Sequence, residues 1–191
     1  MKRCSWAKEN NPLYVAYHDQ EWGIPLHDER ALFELLCLET YQAGLSWETI
    51  LNKRAAFRQA FHGYDVHQVA VMTDAELEGI LQNPAVVRNR RKIYATRANA
   101  QAFLKIQAEF GSFDHYLWSF VDFTPIDNPV KDYKQMPSKT PLSEKLAKDM
   151  KRRGFEFVGP VCVYFLQAAG LVNDHEETCD FNSARKIIKR F

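Results

Sequence analysis

The sequence predicts an all-helical protein with a single domain. Apolar residues recur three and four positions apart along most of the chain, which is the spacing of one helix face. Side chains that can accept hydrogen bonds from the first amides of a helix precede several of these stretches. No repeat and no clear linker interrupts the sequence. We therefore expect residues 1–191 to form one domain with a substantial core, or two small lobes that share a cleft.

The composition excludes a membrane-embedded protein. Hydrophobic residues make up 46% and charged residues 26%, the balance of a globular protein in water. No apolar run approaches the roughly 20 residues that span a bilayer, and the first residues lack the apolar core of a secretory signal. We expect a cytoplasmic protein with no membrane partner. The net charge of +1 requires any DNA-binding surface to be a local basic patch.

The first predicted helix begins after Asp28, whose side chain can accept from the free amides of the first turn, and ends near Glu39. Glu39 falls on the face that also carries Leu32, Leu35 and Leu36. An unpaired buried carboxylate is costly, so Glu39 should have a partner there, and that partner can be a ligand. These residues are equally compatible with a Glu39 that lies in solvent.

A turn follows and presents Gln42 and Leu45 at its tip, on either side of Gly44. Ser46 can cap a second helix, which opens with Trp47. The turn thus stands between a partly buried acid and a tryptophan. Trp47 can also be an ordinary core residue.

Two short helices and a long basic helix are predicted next. Asp65 and Thr73 each precede a Gln or Glu by three positions, the spacing of a capping box. The second short helix, a tight turn and the long helix together suit a helix-hairpin-helix at about 74–100, which grips the DNA backbone without reading sequence. The motif's usual glycines are lacking, and a solvated basic face is the alternative. The cations that can contact phosphates are Arg88, Arg90, Arg91 and Lys92.

The remainder of the chain is predicted to contain a loop and three further helices. Ser112 can cap one helix, and three prolines predict a loop over residues 124–140. Another helix should begin at Thr140 and end at Gly154. Residues 155–159 can be a short extended piece, and residues 160–169, which are apolar on all sides, predict a central buried helix.

Cys4 and Cys179 lie near opposite ends of the chain in polar surroundings. A disulfide between them is disfavoured in a reducing compartment. His175 and Cys179 stand four positions apart, so one helical turn can direct both at a metal ion. Cys4 and His18 would complete a set of two cysteines and two histidines, the kind that holds structural zinc. The alternative is that these four scattered residues are plain surface or core groups.

Aromatic residues are concentrated in a polar stretch near the N-terminus. Tyr14, Tyr17 and Trp22 lie beside charged residues and not along an apolar stripe. Such clusters are more often core than pocket. However, flat rings beside a carboxylate are what a planar, electron-poor base needs, through stacking and cation–π attraction.

Five strings occur together along the chain: RCSW at 3–6, YVAYHDQEWG at 14–23, LETYQAGLSW at 38–47, GFEFVG at 154–159 and VNDH at 172–175. In this order they resemble the bacterial DNA-3-methyladenine glycosylase I family. The resemblance implies an all-helical fold of the helix-hairpin-helix glycosylase superfamily, whose N- and C-terminal segments are joined by one structural zinc ion. It also implies excision of 3-methyladenine from alkylated double-stranded DNA, the first step of base excision repair.

The resemblance further implies roles for single residues. Glu39 looks like the acid that hydrogen-bonds the flipped base, and Tyr17 looks like its hydroxyl partner. Trp47 resembles the ring on which the base stacks. The residues that resemble the rest of the family's pocket lining are Trp6, Tyr14 and Trp22. The residues that would fill the gap in the duplex are Gln42 and Leu45, and Gly44 between them is expected to lie against the DNA. The zinc ligands match Cys4, His18, His175 and Cys179.

The implied reaction needs little catalytic assistance from the protein. Methylation at N3 makes adenine cationic and a better leaving group, so the enzyme mainly has to flip the nucleotide and hold the base. The catalytic aspartate of many superfamily relatives would be absent, with Asp122 and Asp127 as the nearest candidates otherwise. Because no lysine is placed in the pocket, we expect no Schiff base and no strand nicking. We expect a monomer that releases free 3-methyladenine.

A zinc-stabilised DNA-binding module without catalysis is the competing hypothesis. In that case the arginines would contact phosphates, and the aromatic residues would be plain core. The basic tail after Cys179 and the sequence of the proline loop lie outside the resemblance.

Overall fold

A computed structural model describes residues 1–159 and 162–182, and it is mostly helical. Within these residues the long elements are nine α-helices: α1 Pro12–Gln20, α2 Glu29–Gln42, α3 Trp47–Ala60, α4 Val66–Ala70, α5 Asp74–Gln82, α6 Arg90–Phe110, α7 Phe113–Trp118, α8 Pro141–Arg152 and α9 Cys162–Ala168. Single 3₁₀ turns are His62–Tyr64, Ser119–Val121 and Tyr133–Gln135, and two short strands are β1 Ile126–Asp127 and β2 Val172–Asn173. The prediction of a predominantly helical fold is confirmed.

Side-chain caps fix the starts of several helices, as the sequence predicted. The Asp28 side chain accepts from the amide of Ala31, and the Ser46 hydroxyl accepts from the amide of Thr49. At α5, Thr73 and Glu76 form a reciprocal capping box. Each cap satisfies amides that have no partner within the helix, so these helices begin where the sequence indicated.

Two elements differ from the sequence prediction. Helix α1 was not predicted, although Asn11 caps it and Pro12 occupies its first turn, both standard start signals. Residues 124–140 are not wholly a loop, because β1 pairs in parallel with β2, with Ile126 opposite Val172. An edge pairing of two residues carries no periodic pattern, so the sequence gives little sign of it.

Helix α2 is the centre of the molecule. Leu32, Phe33 and Leu36 are fully buried on it, and it packs against α3, α6, α7 and α9. The ring of Tyr41 stacks on Phe57 of α3 at a centroid distance of 4.2 Å. Because α2 is enclosed on all sides, whatever its last turn carries is held rigidly in the interior.

Helix α9 is buried, as expected, from Phe165 to Ala168, whereas the side chain of Tyr164 is only half-buried. Pro160 and Val161, which the prediction included, lie outside the described residues. The preceding residues 155–159 form an irregular segment tied to α6. The amide of Glu156 donates to the side-chain oxygen of Asn99 at 2.7 Å, and Asn99 donates back to the carbonyl of Glu156 at 3.2 Å.

The N-terminal and C-terminal segments lie side by side. The amide of Asp180 donates to the carbonyl of Lys2 at 2.9 Å, and the Lys2 amide donates to the Asp180 carboxylate at 2.7 Å. The carboxylate of Glu176 accepts from both the amide and the hydroxyl of Ser5. Among the described residues, no helix combines the length and apolar character that a membrane crossing requires.

Candidate functional site

A cavity of about 240 Å³ lies between the end of α2, helix α1 and the C-terminal half of the chain. It combines aromatic rings with one carboxyl group and two amide side chains. Its lining residues are Trp6, Tyr14, Tyr17, Trp22, Glu39, Gln42, Trp47, Tyr133, Tyr164 and Gln167. No lysine occurs among these lining residues.

Glu39 supplies the carboxyl group of this cavity. Its side chain is only 2% exposed, and its Oε2 has no hydrogen-bond partner among the residues that the structure describes. Burial raises the pKa of this carboxyl to about 8, because desolvation disfavours the charged form. A cationic ligand with an N–H donor would both fill the vacant acceptor position and stabilise the carboxylate.

The aromatic rings pack against one another around Glu39. Tyr17 and Trp47 have ring centroids 5.1 Å apart, and Trp6 meets the edge of Trp22 at 4.8 Å. Burial, followed by the charge of Glu39, raises the pKa of Tyr17 well above its usual value, so this phenol keeps its proton. The result is a flat-walled cavity with a neutral hydroxyl and an acid, suited to a planar heterocycle.

Three lining residues were not predicted from the sequence. Tyr133 lies in the proline-rich segment, and Tyr164 and Gln167 lie on α9. Gln167 is a polar residue within the apolar stretch 160–169, and that was the available signal for it. Nothing in the local sequence around Tyr133 indicates its position, because its approach depends on how the segment folds back over α9.

The turn after α2 differs in part from the expectation. Leu45 is 39% exposed at the tip, and Gly44 has a φ of +80°, in the left-handed region that favours glycine. Gln42 instead lines the cavity, with a buried Oε1 that has no partner among the described residues. Leu45 is therefore the large apolar side chain that projects outward from this turn.

The four candidate metal ligands converge at one point. One ligand atom each from Cys4, His18, His175 and Cys179 lies within 4.8 Å of all the others, and all four residues are buried. The Sγ of Cys179 is 3.7 Å from Nε2 of His18. This group joins the two ends of the described chain.

The surroundings of this group fit a bound divalent metal. Nδ1 of His18 lies 2.8 Å from the carboxylate of Asp19, which leaves Nε2 directed at the group, and Nδ1 of His175 is 3.0 Å from the side-chain oxygen of Asn173. Such outer partners fix the ring and tautomer of metal-binding histidines. Burial raises the pKa of the Cys4 thiol, so a cation would be needed to stabilise its thiolate. The group can hold a metal ion.

The metal-ligand group is in direct contact with the cavity. The ring of Trp6 lies 5.2 Å from that of His18, and the ring of Trp22 lies 4.6 Å from that of His175. Two walls of the cavity are thus supported by the two histidines. Any change that loosens the histidine rings should loosen these walls.

Helices α5 and α6 form the predicted helical pair, joined by residues 83–89. Arg88, Arg90 and Arg91 are exposed. Arg90 forms an ion pair with Glu78. Lys92 differs from the expectation of a phosphate contact: it is 5% exposed, and its ammonium donates to main-chain carbonyls at the end of α2.

The two alternative acids of the sequence analysis lie elsewhere. Neither Asp122 nor Asp127 lines the cavity. The Asp127 carboxylate accepts from the side-chain amide of Asn173 at 3.1 Å. Within the described residues, Glu39 is the only acid that lines the cavity.

The chain matches the protein family described as methyladenine glycosylase over residues 6–183. The DNA-3-methyladenine glycosylase 1 of Escherichia coli K12 is 44% identical over 180 residues, which cover 94% of this chain and 96% of that protein. A 3-methyladenine DNA glycosylase I of Staphylococcus aureus, solved to study 3-methyladenine recognition, has a TM-score of 0.90 at 40% identity, covering 95% of this chain and 97% of that one. A variant of a 3-methyladenine DNA glycosylase I in complex with 3-methyladenine also has a TM-score of 0.90. Its sequence is 39% identical, and the match covers 95% of this chain and 98% of that one.

Proposed function

The chain belongs to the methyladenine glycosylase family, and from this premise we propose that it is a monofunctional DNA glycosylase that flips 3-methyladenine out of alkylated duplex DNA and excises it by hydrolysis. The observation that carries the proposal is the buried carboxyl of Glu39 in a cavity walled by aromatic rings, with an Oε2 that has no hydrogen-bond partner among the described residues. A purine cation favours the carboxylate form of this acid more strongly than a neutral purine does, because the opposite charges attract where water is excluded.

Glu39 selects the substrate by charge. In the proposed complex its carboxylate accepts a hydrogen bond from the edge of the base, and its negative charge stabilises the N3-methylated cation. The desolvation that raises the pKa of free Glu39 also strengthens this pairing, because Coulomb attraction is larger where water is excluded. Tyr17 supplies its phenol from the same cavity, and Trp47 offers its face for stacking.

The bond to be broken is already weak. A water molecule attacks C1′ of the sugar, and the electron pair of the glycosidic bond moves to the base and neutralises its positive charge. The base leaves as free 3-methyladenine, and the proton lost by the water goes to solvent. No protonation of the base is needed, so the cavity requires no strong acid. The main costs are unstacking and flipping, a few kcal/mol.

The protein surface around the cavity supplies the DNA contacts in this proposal. Leu45 at its exposed turn fills the space that the flipped nucleotide leaves in the stack. Helices α5 and α6 act as the helix-hairpin-helix, with Arg88, Arg90 and Arg91 on phosphates. Lys92 is left out of this set because its ammonium is held inside the protein.

We further propose that Cys4, His18, His175 and Cys179 hold one zinc ion with a structural role. Two thiolates and two imidazoles form the closed tetrahedral set typical of such sites. The ion would crosslink the two ends of the described chain and thereby fix the histidine rings against Trp6 and Trp22.

Among the residues that the structure describes, no lysine lines the cavity, which supports a hydrolytic enzyme without strand nicking. A lyase would form an imine between an amine and C1′ that borohydride traps as a covalent adduct. We propose that no such adduct forms, and that the protein works as a cytoplasmic monomer on duplex DNA.

The test is release of free bases from methylated duplex DNA. We expect 3-methyladenine to be released by the wild type and at least tenfold more slowly by Glu39→Gln. Glu144→Gln, the same change on an exposed acid of α8, serves as the matched control. Salt-sensitive DNA binding without any base release would refute the proposal and favour a DNA-binding module.

A further inference from the structure

A chain of hydrogen bonds runs behind one wall of the cavity. The hydroxyl of Tyr133 donates to Oε1 of Gln167 at 3.1 Å, and Nε2 of Gln167 donates to Oδ2 of Asp174 at 2.6 Å. The other oxygen of Asp174 accepts from Nδ2 of Asn128, also at 2.6 Å. Tyr133 and Gln167 both line the cavity, while Asp174 and Asn128 do not.

The direction of every hydrogen bond between Tyr133 and Asp174 follows from the Asp174 carboxylate. The carboxylate of Asp174 only accepts hydrogen bonds, so Gln167 must turn its NH₂ group towards it. The reversed amide would put two oxygens in contact at the same distance. With its NH₂ group fixed, Gln167 can present only an oxygen to Tyr133, so the tyrosine hydroxyl must donate to it.

A tyrosine hydroxyl has a single proton. Because that proton is committed to Gln167, the oxygen of Tyr133 can offer only a lone pair to anything in the cavity. We propose that Tyr133 is a specificity-determining residue, held as an obligate acceptor by Gln167 and Asp174, which favours a purine with an exocyclic amine over one with a carbonyl at that position. This inference rests on the proposed function and names what distinguishes adenine-type from guanine-type substrates.

The chemistry of the two purines makes the distinction sharp. Adenine carries an NH₂ group where guanine carries the acceptor O6. An amine has two N–H donors and can serve both the Glu39 carboxylate and the Tyr133 oxygen. A carbonyl in the same place would face two acceptors and would lose its own hydrogen bonds to water without replacement.

Other contacts hold Tyr133 and its proton in place. The main-chain amide of Tyr133 donates to the Glu176 carboxylate at 3.0 Å, so the residue is anchored at both its backbone and its hydroxyl. Burial, and then the charges of nearby groups that include Asp174 and Glu39, raises the pKa of Tyr133. The hydroxyl therefore remains protonated, and Gln167, only 2% exposed, is shielded from competing water.

The test compares the affinities of free 3-methyladenine and free 3-methylguanine by tryptophan fluorescence in three variants. Tyr133→Phe removes the acceptor, and we expect the preference for 3-methyladenine to fall about five- to tenfold, the value of roughly one hydrogen bond. Gln167→Leu frees the hydroxyl proton to turn into the cavity. We expect this variant to bind 3-methylguanine several-fold more tightly than the wild type does, which mere loosening of the wall would not produce. Tyr116→Phe, which removes a hydroxyl bonded to Asp149 and absent from the cavity lining, is the matched control.

The outcomes separate this inference from the proposed function. A wild type that binds neither base overturns the proposed function and this inference with it. A wild type that prefers 3-methyladenine, with the same preference in Tyr133→Phe and no gain for 3-methylguanine in Gln167→Leu, overturns the inference alone. Thermal unfolding of each variant shows whether it is folded. The tighter binding of 3-methylguanine expected for Gln167→Leu can be measured even if Tyr133→Phe does not fold.

Discussion

Lys92, in the first turn of α6, donates from its buried ammonium to the carbonyl of Tyr41, in the last turn of α2, at 2.9 Å. The ammonium also donates to the carbonyl of Ala43, which follows the end of that helix. The last carbonyls of a helix carry a partial negative charge and lack partners within it. One side chain therefore joins the basic helix to the end of α2, close to both Glu39 and the exposed turn at Leu45.

We predict that Lys92→Met lowers stability without changing electrostatic DNA binding. The substitution keeps an unbranched side chain but removes the ammonium that donates to the carbonyls of Tyr41 and Ala43, which costs about 1–3 kcal/mol in the free energy of unfolding. Urea denaturation measures this loss. The salt dependence of DNA affinity should keep its wild-type slope, and a slope reduced as for an exposed cation would mean that Lys92 reaches the phosphates after all.

We predict the opposite behaviour for Arg88→Ala. Arg88 is exposed, so its loss should change the free energy of unfolding by no more than about 0.5 kcal/mol. If it contacts a phosphate, the slope of log affinity against log salt should become shallower by about one. Lys105→Ala, an exposed cation near the far end of α6, is the control, and an equal effect on the salt slope would argue against a localised DNA-binding face.

Local patterns predicted the helices more successfully than the partners of their side chains. The caps at Asp28 and Ser46 are encoded within four residues, so the starts of α2 and α3 can be read from the sequence, whereas α2 runs to Gln42, beyond the predicted end near Glu39. The burial of Lys92 arises from the packing of α6 on α2, and a basic residue at a helix start gives no local sign of it.

The candidate site shows the same division. The spacing of His175 and Cys179 indicated a metal-ligand group, and the four candidate residues do converge. Tyr133 and Gln167 could not be brought together from the sequence, because their contact depends on the return of the proline-rich segment across α9. That path is fixed by pairings between distant residues, such as Ile126 with Val172, which leave no periodicity in either segment.

The pH dependence of base release should follow Glu39. Its carboxyl has a pKa of about 8 in the free protein, so kcat/KM for release from DNA should rise about tenfold per pH unit below that value and level off above it. A bound cation favours the carboxylate, and the corresponding rise in kcat should therefore lie at lower pH. Glu39→Gln should show neither rise. A wild-type profile that is flat from pH 5 to 9 would contradict the assignment.

The same shift has a consequence for stability. The pKa of Glu39 is raised in the folded protein, so the folded state binds more protons than the unfolded state between about pH 4.5 and 8. The contribution of protonated Glu39 to the free energy of unfolding is therefore fully present below the pKa of the unfolded state. This contribution is lost as pH rises, at up to about 1.4 kcal/mol per pH unit. Glu39→Gln should be more stable than the wild type at pH 8 and lose that advantage at pH 4.5. Denaturation at the two values measures this, and an advantage independent of pH would show that Glu39 is charged throughout.

Metal removal should weaken both the fold and the cavity. We expect about one zinc per chain by elemental analysis, and less than half of that in Cys179→Ser. Chelation should lower the melting temperature and also reduce binding of free 3-methyladenine, because the histidine rings support Trp6 and Trp22. Cys37→Ala alters a buried thiol outside the metal-ligand group and should retain the metal. Wild-type zinc content in Cys179→Ser would argue against the four-ligand set.

Leu45→Ala should separate duplex opening from base recognition. Truncating this exposed side chain removes the apolar group proposed to replace the flipped nucleotide, so we expect release from duplex DNA to fall about tenfold or more. The affinity for free 3-methyladenine should stay near the wild-type value, since Leu45 does not line the cavity. Ile24→Ala, another exposed apolar residue, is a control for the loss of surface area. Equal losses in both assays would contradict the proposed wedge.

His18 and Cys179 are brought together across 161 positions of the chain. During synthesis on the ribosome, His18 leaves the exit tunnel long before Cys179 has been added to the chain. This contact therefore cannot support the cavity walls formed by Trp6 and Trp22 until residue 179 has been synthesised. Prematurely terminated chains should consequently lack a competent cavity even where their first helices have formed.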